Sequence, residues 1–173
     1  RYEWMIAYFS TLSGVGTCVP LDKGLPYEEV ESSLIRSKSE VLVFDKDHLS
    51  QVERMKEEGN VPTETFICMD DIEGYKSIKE YIEEGKEAFE AGYEEYTKLP
   101  IDINEVNLLL FTSGTTSKSK AVMLSHENIA NNINDITNLF DIQVGDTLLS
   151  FLPLHHTFEC TVGFLYAIST VPV

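Results

Sequence analysis

The stretch from Asn107 to Ser125 reads NLLLFTSGTTSKSKAVMLS. It begins with a short apolar run over 108–111, which has the length and composition of a buried strand. A polar segment of hydroxyl, glycine and lysine residues follows, and a second apolar run over 121–124 closes the stretch. Hydroxyl groups, accessible backbone amides and ammonium groups together suit phosphate oxygens. The stretch therefore predicts an anion-binding loop between two strands. A solvated polar hairpin is the alternative, because Gly, Ser and Thr are common turn residues.

Positive charge in this part of the chain is local to the loop. From Val106 onward the only basic residues are Lys118 and Lys120, while acidic residues are spread elsewhere. The loop does not match the P-loop of nucleotide triphosphatases, which needs a glycine directly before the lysine and a serine or threonine directly after it. Lys118 follows Ser117, and Lys120 precedes Ala121. The loop is therefore not a P-loop.

The loop resembles the phosphate-binding signature of the adenylate-forming (AMP-binding) superfamily, which contains the acyl-CoA synthetases. That signature is an aromatic residue followed by TSGTTG and then x-P-K-G-V, and the chain has FTSGTTSKSKAV. Three residues depart from it, since Ser117, Ser119 and Ala121 replace Gly, Pro and Gly. These changes keep the hydroxyls and the lysine, so they bear on the rate more than on the ligand. The resemblance implies that the nucleotide phosphates are bound by Thr112, Ser113, Gly114, Thr115, Thr116 and Lys120.

A second segment, FLPLHHTFE over 151–159, resembles the next signature of the same family, a strand end followed by P-L-x-H and a helix. The matching position is His156, for which the resemblance implies a catalytic role at the acyl pocket. Taken alone, His155 and His156 are typical of a packed helix start. No Cys or second His cluster stands at a zinc-ligand spacing, so we expect no metal site of this kind.

The opening of the chain, RYEWMIAYFSTLSGVGTCVPLDKGLP, is similar to the early region of acyl-CoA synthetases, most of all the long-chain fatty acid CoA ligases. The resemblance thus covers most of the chain. It implies that residues 1–173 form part of the large N-terminal AMP-binding domain, with acidic βα units over 1–105 and the phosphate loop and PLHHTFE subregion over 106–173. The chain starts without methionine and no later motif of the family occurs in it, so we expect an N-terminal fragment without the C-terminal domain.

Hydrophobic periodicity predicts alternating strands and helices. This alternation favours an α/β fold with a largely parallel sheet flanked by helices on both faces, and ligands bound beyond the carboxyl ends of its strands. Trp4 and Tyr8 are predicted to lie in the core. The expected helices cover 2–12, a segment starting at Pro26, 49–58, 72–98, a segment capped by Ser125, and 157–168; the expected strands cover 17–21, 41–44, 65–69, 108–111 and 146–152.

The family resemblance implies an acid-thiol ligase. A carboxylate, in the preferred interpretation a long-chain fatty acid, attacks the α-phosphate of ATP to give acyl-adenylate and pyrophosphate, and CoA then takes the acyl group. Mg²⁺ is expected to bridge the phosphates. These activities belong to the full-length parent, and the fragment alone is expected to be inactive. The alternative is a non-catalytic nucleotide-binding or interaction module.

Composition excludes some partners. The net charge of −16 makes nucleic acid a poor partner. The expected partners are small molecules: ATP, a carboxylic acid and CoA. Cys18, Cys68 and Cys160 lie far apart among apolar neighbours, which favours reduced thiols. No signal-peptide pattern opens the given sequence, so we expect a cytoplasmic protein. No segment is a convincing membrane span. Peripheral membrane association of the parent and its oligomeric state remain open at this level.

Overall fold

The computed structural model describes residues 1–112, 119–140 and 142–170. The chain forms two compact units. The first comprises Arg1–Val19 and Leu25–Ile101, and the second comprises Pro20–Gly24 and Asp102–Val173.

The first unit contains a three-stranded parallel sheet. Its strands are β1 (Val41–Phe44), β2 (Thr65–Cys68) and β3 (Lys76–Ser77), in the order β1-β2-β3. Helix α3 (Leu49–Glu58) connects β1 to β2, so these elements form the predicted βαβ unit. The α/β prediction with a parallel sheet and helices is therefore confirmed.

Two apolar clusters hold this unit together. Tyr27 and Leu34 of α2 (Tyr27–Ser37) pack with Met55 of α3. The second cluster joins Val52 of α3 to the strand residues Phe44 and Cys68. Each of these side chains is at most 8% exposed, so α2 and α3 bury the apolar stripes that predicted them.

Helix α1 (Tyr2–Leu12) also has its predicted bounds. Tyr8 is 1% exposed, which confirms it as core, and its ring stacks on that of Trp4 with centroids 4.9 Å apart. Trp4 itself is half-buried. The expected strand over 17–21 is wrong, because the structure has only an isolated bridge at Cys18.

The predicted long helix over 72–98 is much shorter. Helix α4 covers Ile78–Glu90, and a 3-10 turn over Tyr96–Lys98 follows it. Its start is set by a capping box, in which the Ser77 hydroxyl accepts from the backbone N–H of Glu80 while the Glu80 side chain accepts from that of Ser77. Its end lies just before Gly92, whose φ of 92° is incompatible with continuing the helix.

The second unit contains an antiparallel pair, β4 (Val106–Thr112) and β5 (Lys120–Ser125). Helix α5 (His126–Thr137) follows β5 directly. The Ser125 hydroxyl accepts from the backbone N–H of Asn128, and Asn128 Oδ1 accepts from the backbone N–H of Ser125. The predicted cap at Ser125 is confirmed.

The expected strand over 146–152 is wrong. This segment is irregular, and Leu149 and Phe151 are 84% and 75% exposed. A strand needs a neighbour to pair its backbone groups, and no strand in the described part of the chain pairs with this run. The helix expected over 157–168 is present, but Glu159–Tyr166 is a π-helix, followed by α6 (Ala167–Ser169).

The π-helix packs against α5. The Tyr166 hydroxyl, 2% exposed as a residue, donates to the Phe140 carbonyl at 2.5 Å just beyond the end of α5. None of the three cysteines is in a disulfide, and Cys68 and Cys160 are buried. None of the helices within the described residues has the length and apolar character needed to cross a membrane.

Candidate functional site

The predicted phosphate loop connects β4 to β5, and the last residue pair of this hairpin lies directly beside it. Thr112 pairs with Lys120 at the last position of the antiparallel register. The Thr112 hydroxyl donates to the Lys120 main-chain carbonyl at 3.5 Å. Both residues are exposed. The remaining predicted phosphate ligands, Ser113, Gly114, Thr115 and Thr116, lie outside the described residues.

The packing of strand β4 fixes the position of Thr112 at the loop end of the hairpin. Leu108 and Leu110 are 4% and 8% exposed, and they alternate with half-buried residues until the strand reaches the exposed Thr112. A one-residue slip would turn the buried set outward, so this alternation fixes which side of the strand Thr112 occupies. At the other end of the hairpin, the Ser125 cap ties β5 to α5. The two flanks of the loop are therefore anchored to a packed hairpin and helix.

The histidine segment forms a turn that leads into the π-helix. The backbone N–H of His156 donates to the Pro153 carbonyl at 2.9 Å, and the His156 carbonyl accepts from the backbone N–H of Cys160 at 3.0 Å. The His156 side chain is exposed. Within the described residues, no side-chain hydrogen bond or ion pair joins His156 to Thr112 or Lys120. The catalytic role of His156 stays a prediction.

The neighbouring histidine has a partner that the sequence did not indicate. His155 Nε2 lies 3.5 Å from Asp22 Oδ2, and their side chains are 22% and 50% exposed. Asp22 belongs to Pro20–Gly24, the short segment that joins the second unit. Asp22 ends the VPLD segment over 19–22, which lies in the opening that resembles acyl-CoA synthetases, and no spacing rule connects this segment to a histidine so far along the chain.

A buried carboxylate lies one turn beyond the histidines. Glu159 is 4% exposed, and its Oε1 has no hydrogen-bond partner among the residues that the structure describes. It packs on Gly163, where an added Cβ would lie 2.6 Å from that oxygen. Sequence reasoning missed this pair. A Glu followed four positions later by a Gly was its only signal, because these positions share a helix face.

The described residues offer no protein site for a metal ion. Over 1–112, 119–140 and 142–170, no group of three or more His, Cys, Asp or Glu side chains could hold one. The described side chains therefore provide no ligand set for the magnesium that the resemblance implies.

Comparison with known proteins matches this geometry to one family. The sequence model described as AMP-binding enzyme matches residues 1–170. Among curated proteins, a CoA ligase of Gibberella moniliformis is 26% identical over 155 residues, covering 90% of this chain and 24% of that protein. Long-chain-fatty-acid–CoA ligase 5 of Mus musculus is 30% identical over 182 residues, covering 96% of this chain and 26% of that protein.

The fold is also found among solved structures. The crystal structure of ATP-bound MatB from Rhodopseudomonas palustris superposes with a TM-score of 0.75 at 22% identity. The match covers 98% of this chain and 32% of that protein. The chain thus spans about a quarter to a third of the length of these relatives.

Proposed function

This chain belongs to the AMP-binding enzyme family, and we propose that the whole protein activates a carboxylic acid with ATP and transfers the acyl group to CoA. The first step forms the bond between the carboxylate oxygen and the α-phosphorus and releases pyrophosphate. In the second step the CoA sulfur attacks the acyl carbon and AMP leaves. The similarity to proteins named as CoA ligases supports this reaction class.

The observation that carries the proposal is the pairing of Thr112 with Lys120 at the loop end of the hairpin. Two exposed residues, one with a hydroxyl and one with an ammonium group, are paired on the strands that flank residues 113–119. Groups held in advance where negative charge develops stabilise the transition state without reorganising. In this proposal Thr112, Ser113, Thr115 and Thr116 bind phosphate oxygens, Gly114 lets backbone amides approach them, and Lys120 supplies positive charge.

We assign the acyl-transfer side of the reaction to His156. Its ring is exposed, and its main chain is held by the hydrogen bonds to Pro153 and Cys160. A side chain that is free to turn on a fixed backbone can serve the acyl group or the thiol in successive steps. Magnesium, which binds phosphate oxygens, would be held by the nucleotide rather than by the described side chains of this chain.

We further propose that the acid is a long-chain fatty acid. The PLHHTFE segment and the early YEW and VPLD segments are the features of the sequence that favour this choice. The mouse relative named as a long-chain ligase adds support at 30% identity.

The test is product formation by the whole protein. We would incubate it with ATP, magnesium and CoA together with acetate, octanoate or palmitate, and measure AMP and acyl-CoA by mass spectrometry. Palmitoyl-CoA formed in preference to the shorter thioesters is the expected result. Preference for acetate or octanoate would overturn the long-chain assignment alone. ATP binding without any AMP release would instead favour a nucleotide-binding module.

A further inference from the structure

We propose that Asp22 is a positioning residue that acts through His155 on His156. The inference rests on the proposed function of His156. It starts from a contact that joins Pro20–Gly24 to the histidine segment, in which Asp22 Oδ2 and His155 Nε2 are 3.5 Å apart. Nothing in the motif that suggested His156 requires an acidic partner at this place.

The Asp22 carboxylate is itself held in place. Its Oδ1 accepts a hydrogen bond from the backbone N–H of Gly24 at 2.8 Å, which leaves Oδ2 to face the histidine. This local turn is typical of aspartate, whose side chain mimics a backbone carbonyl. Gly24 also lies close, since an added Cβ would be 3.4 Å from Oδ1. The carboxylate is therefore fixed in direction and not merely nearby.

Fixing His155 restricts its neighbour. The two histidines are consecutive, and both lie in the turn that is closed by the hydrogen bond from the His156 N–H to the Pro153 carbonyl. His155 is half-buried and His156 is exposed. In this proposal the Asp22 contact holds the His155 side chain, and the closed turn then limits the positions that His156 can take.

If Asp22 had a purely structural role, we would expect a different result. Ion pairs between partly exposed side chains add little to stability, with a typical value of about 0–1 kcal/mol. Loss of Asp22 as a surface charge should therefore change neither folding nor catalysis. A positioning role instead affects the step that uses His156 and spares the step that uses the phosphate loop.

The test uses the whole protein with palmitate, ATP and CoA, and it measures pyrophosphate–ATP exchange and thioester formation separately. Asp22→Asn keeps an oxygen for the Gly24 N–H but removes the charge, and His155→Gln removes the other partner. The matched control is Asp102→Asn, because Asp102 Oδ1 accepts from the backbone N–H of Asn104 at 2.9 Å in a similar turn. The control should leave both rates unchanged.

We expect Asp22→Asn and His155→Gln each to lower thioester formation about fivefold, which equals about 1 kcal/mol of activation free energy, with pyrophosphate exchange unchanged. The double variant should lose no more than either single variant. In a His156→Ala background, Asp22→Asn should have no further effect. Asp22→Glu should recover part of the rate.

Three results would overturn the inference: unchanged thioester formation in Asp22→Asn, additive losses in the double variant, or equal losses in both steps. The outcome of His156→Ala separates this inference from the proposal beneath it. If His156→Ala lowers thioester formation but Asp22→Asn does not, only the role of Asp22 fails. If His156→Ala changes neither step, the role of His156 fails and that of Asp22 fails with it.

Discussion

The hydroxyl of Thr112 donates to the main-chain carbonyl of Lys120 at 3.5 Å, across the last paired position of the β4–β5 hairpin. The contact closes the base of the loop whose sequence carries the family resemblance. It also separates two roles within Lys120, because the main chain completes the hairpin while the ammonium group is the part that we propose to bind phosphate. Substitution of either side chain therefore tests the proposed phosphate site.

Replacing Lys120 with methionine should raise the KM for ATP about tenfold or more, since a hydrogen bond to a charged group contributes about 1.5–3 kcal/mol. The main-chain carbonyl that accepts from Thr112 remains, so the melting temperature should change little. Steady-state kinetics of adenylation by the whole protein would measure the effect. Lys98→Met is the control, because Lys98 is 70% exposed and pairs with Glu94 one helical turn away. Equal effects of the two substitutions would remove the electrostatic role of Lys120.

Replacing Thr112 with valine should also weaken ATP binding, because the shape of the side chain is kept while the hydroxyl is lost. We expect a rise in the KM for ATP of about threefold to tenfold, in line with a net hydrogen bond of about 0.5–1.5 kcal/mol. Thr112→Ser keeps the hydroxyl and should stay near the wild type. A fall in the melting temperature of Thr112→Val with no change in KM would instead show that Thr112 only closes the hairpin.

Replacing His156 with alanine should slow thioester formation more than pyrophosphate–ATP exchange. The reason is that His156 is assigned to acyl transfer and not to the phosphates. The ratio of the two rates, measured on one preparation, removes any error in the active fraction. His48→Ala, in the 3-10 turn over Lys46–His48 of the first unit, controls for loss of a histidine elsewhere. A parallel fall of both rates together with loss of folding would return His156 to a structural role.

Replacing Gly163 with alanine should destabilise the protein by about 1–3 kcal/mol, the usual cost of overpacking a buried site. An added Cβ would lie 2.6 Å from Glu159 Oε1, and Glu159 is 4% exposed. Gly85→Ala is the matched control: it lies in α4 with nothing within 4 Å of an added Cβ. That variant should gain about 0.5–1 kcal/mol from helix propensity. If the urea midpoints of both variants shifted in the same direction, this result would contradict the close packing of Gly163 against Glu159.

Tyr27 predicts a dependence of stability on alkaline pH. Burial first, and then the hydrogen bonds and charges of Glu58 and Glu31, raise the pKa of Tyr27 to about 12 from an ordinary value of 10.0. The folded state therefore holds this proton more tightly than the unfolded state. Its contribution to stability is complete below pH 10 and is lost as pH rises toward 12.

Tyr27→Phe removes this titration but keeps the ring under the Arg54 guanidinium, which lies 3.7 Å from its centroid. The variant should be less stable than the wild type at pH 8 by about 1 kcal/mol for the lost hydrogen bonds. The gap should close as pH rises above 10. Urea midpoints of both proteins measured across this range would check it, and a constant gap would contradict the raised pKa.

Several elements could be predicted from the sequence because local signals agreed. The bounds of α1, α3 and β1 are as expected, and α3 ends at Gly59, whose φ of 64° gives the left-handed cap. The cap at Ser125 was also foreseen, because serine competes well for helix N–H groups. In these elements the hydrophobic periodicity, the capping residues and the residues that end a helix lie close together in the sequence, so local patterns are enough to predict them.

Other features depend on contacts that local patterns do not contain. The apolar run over 146–152 has the composition of a strand, but it does not pair with another strand in the described part of the chain. The acidic segment over 72–98 has helical periodicity throughout, but the Ser77 capping box and Gly92 restrict the helix to its middle. At the candidate site, the Asp22–His155 pair joins segments that are distant in the sequence, so residue spacing could not predict it.

The most direct test of the central claim is palmitate-dependent exchange of labelled pyrophosphate into ATP, measured on the whole protein beside its Lys120→Met variant. Exchange reports reversible adenylation and does not require CoA. The account predicts exchange that depends on the fatty acid in the wild type and is strongly reduced at the same ATP concentration in the variant. Absence of exchange with every carboxylic acid tried, in a protein that still binds ATP, would contradict it.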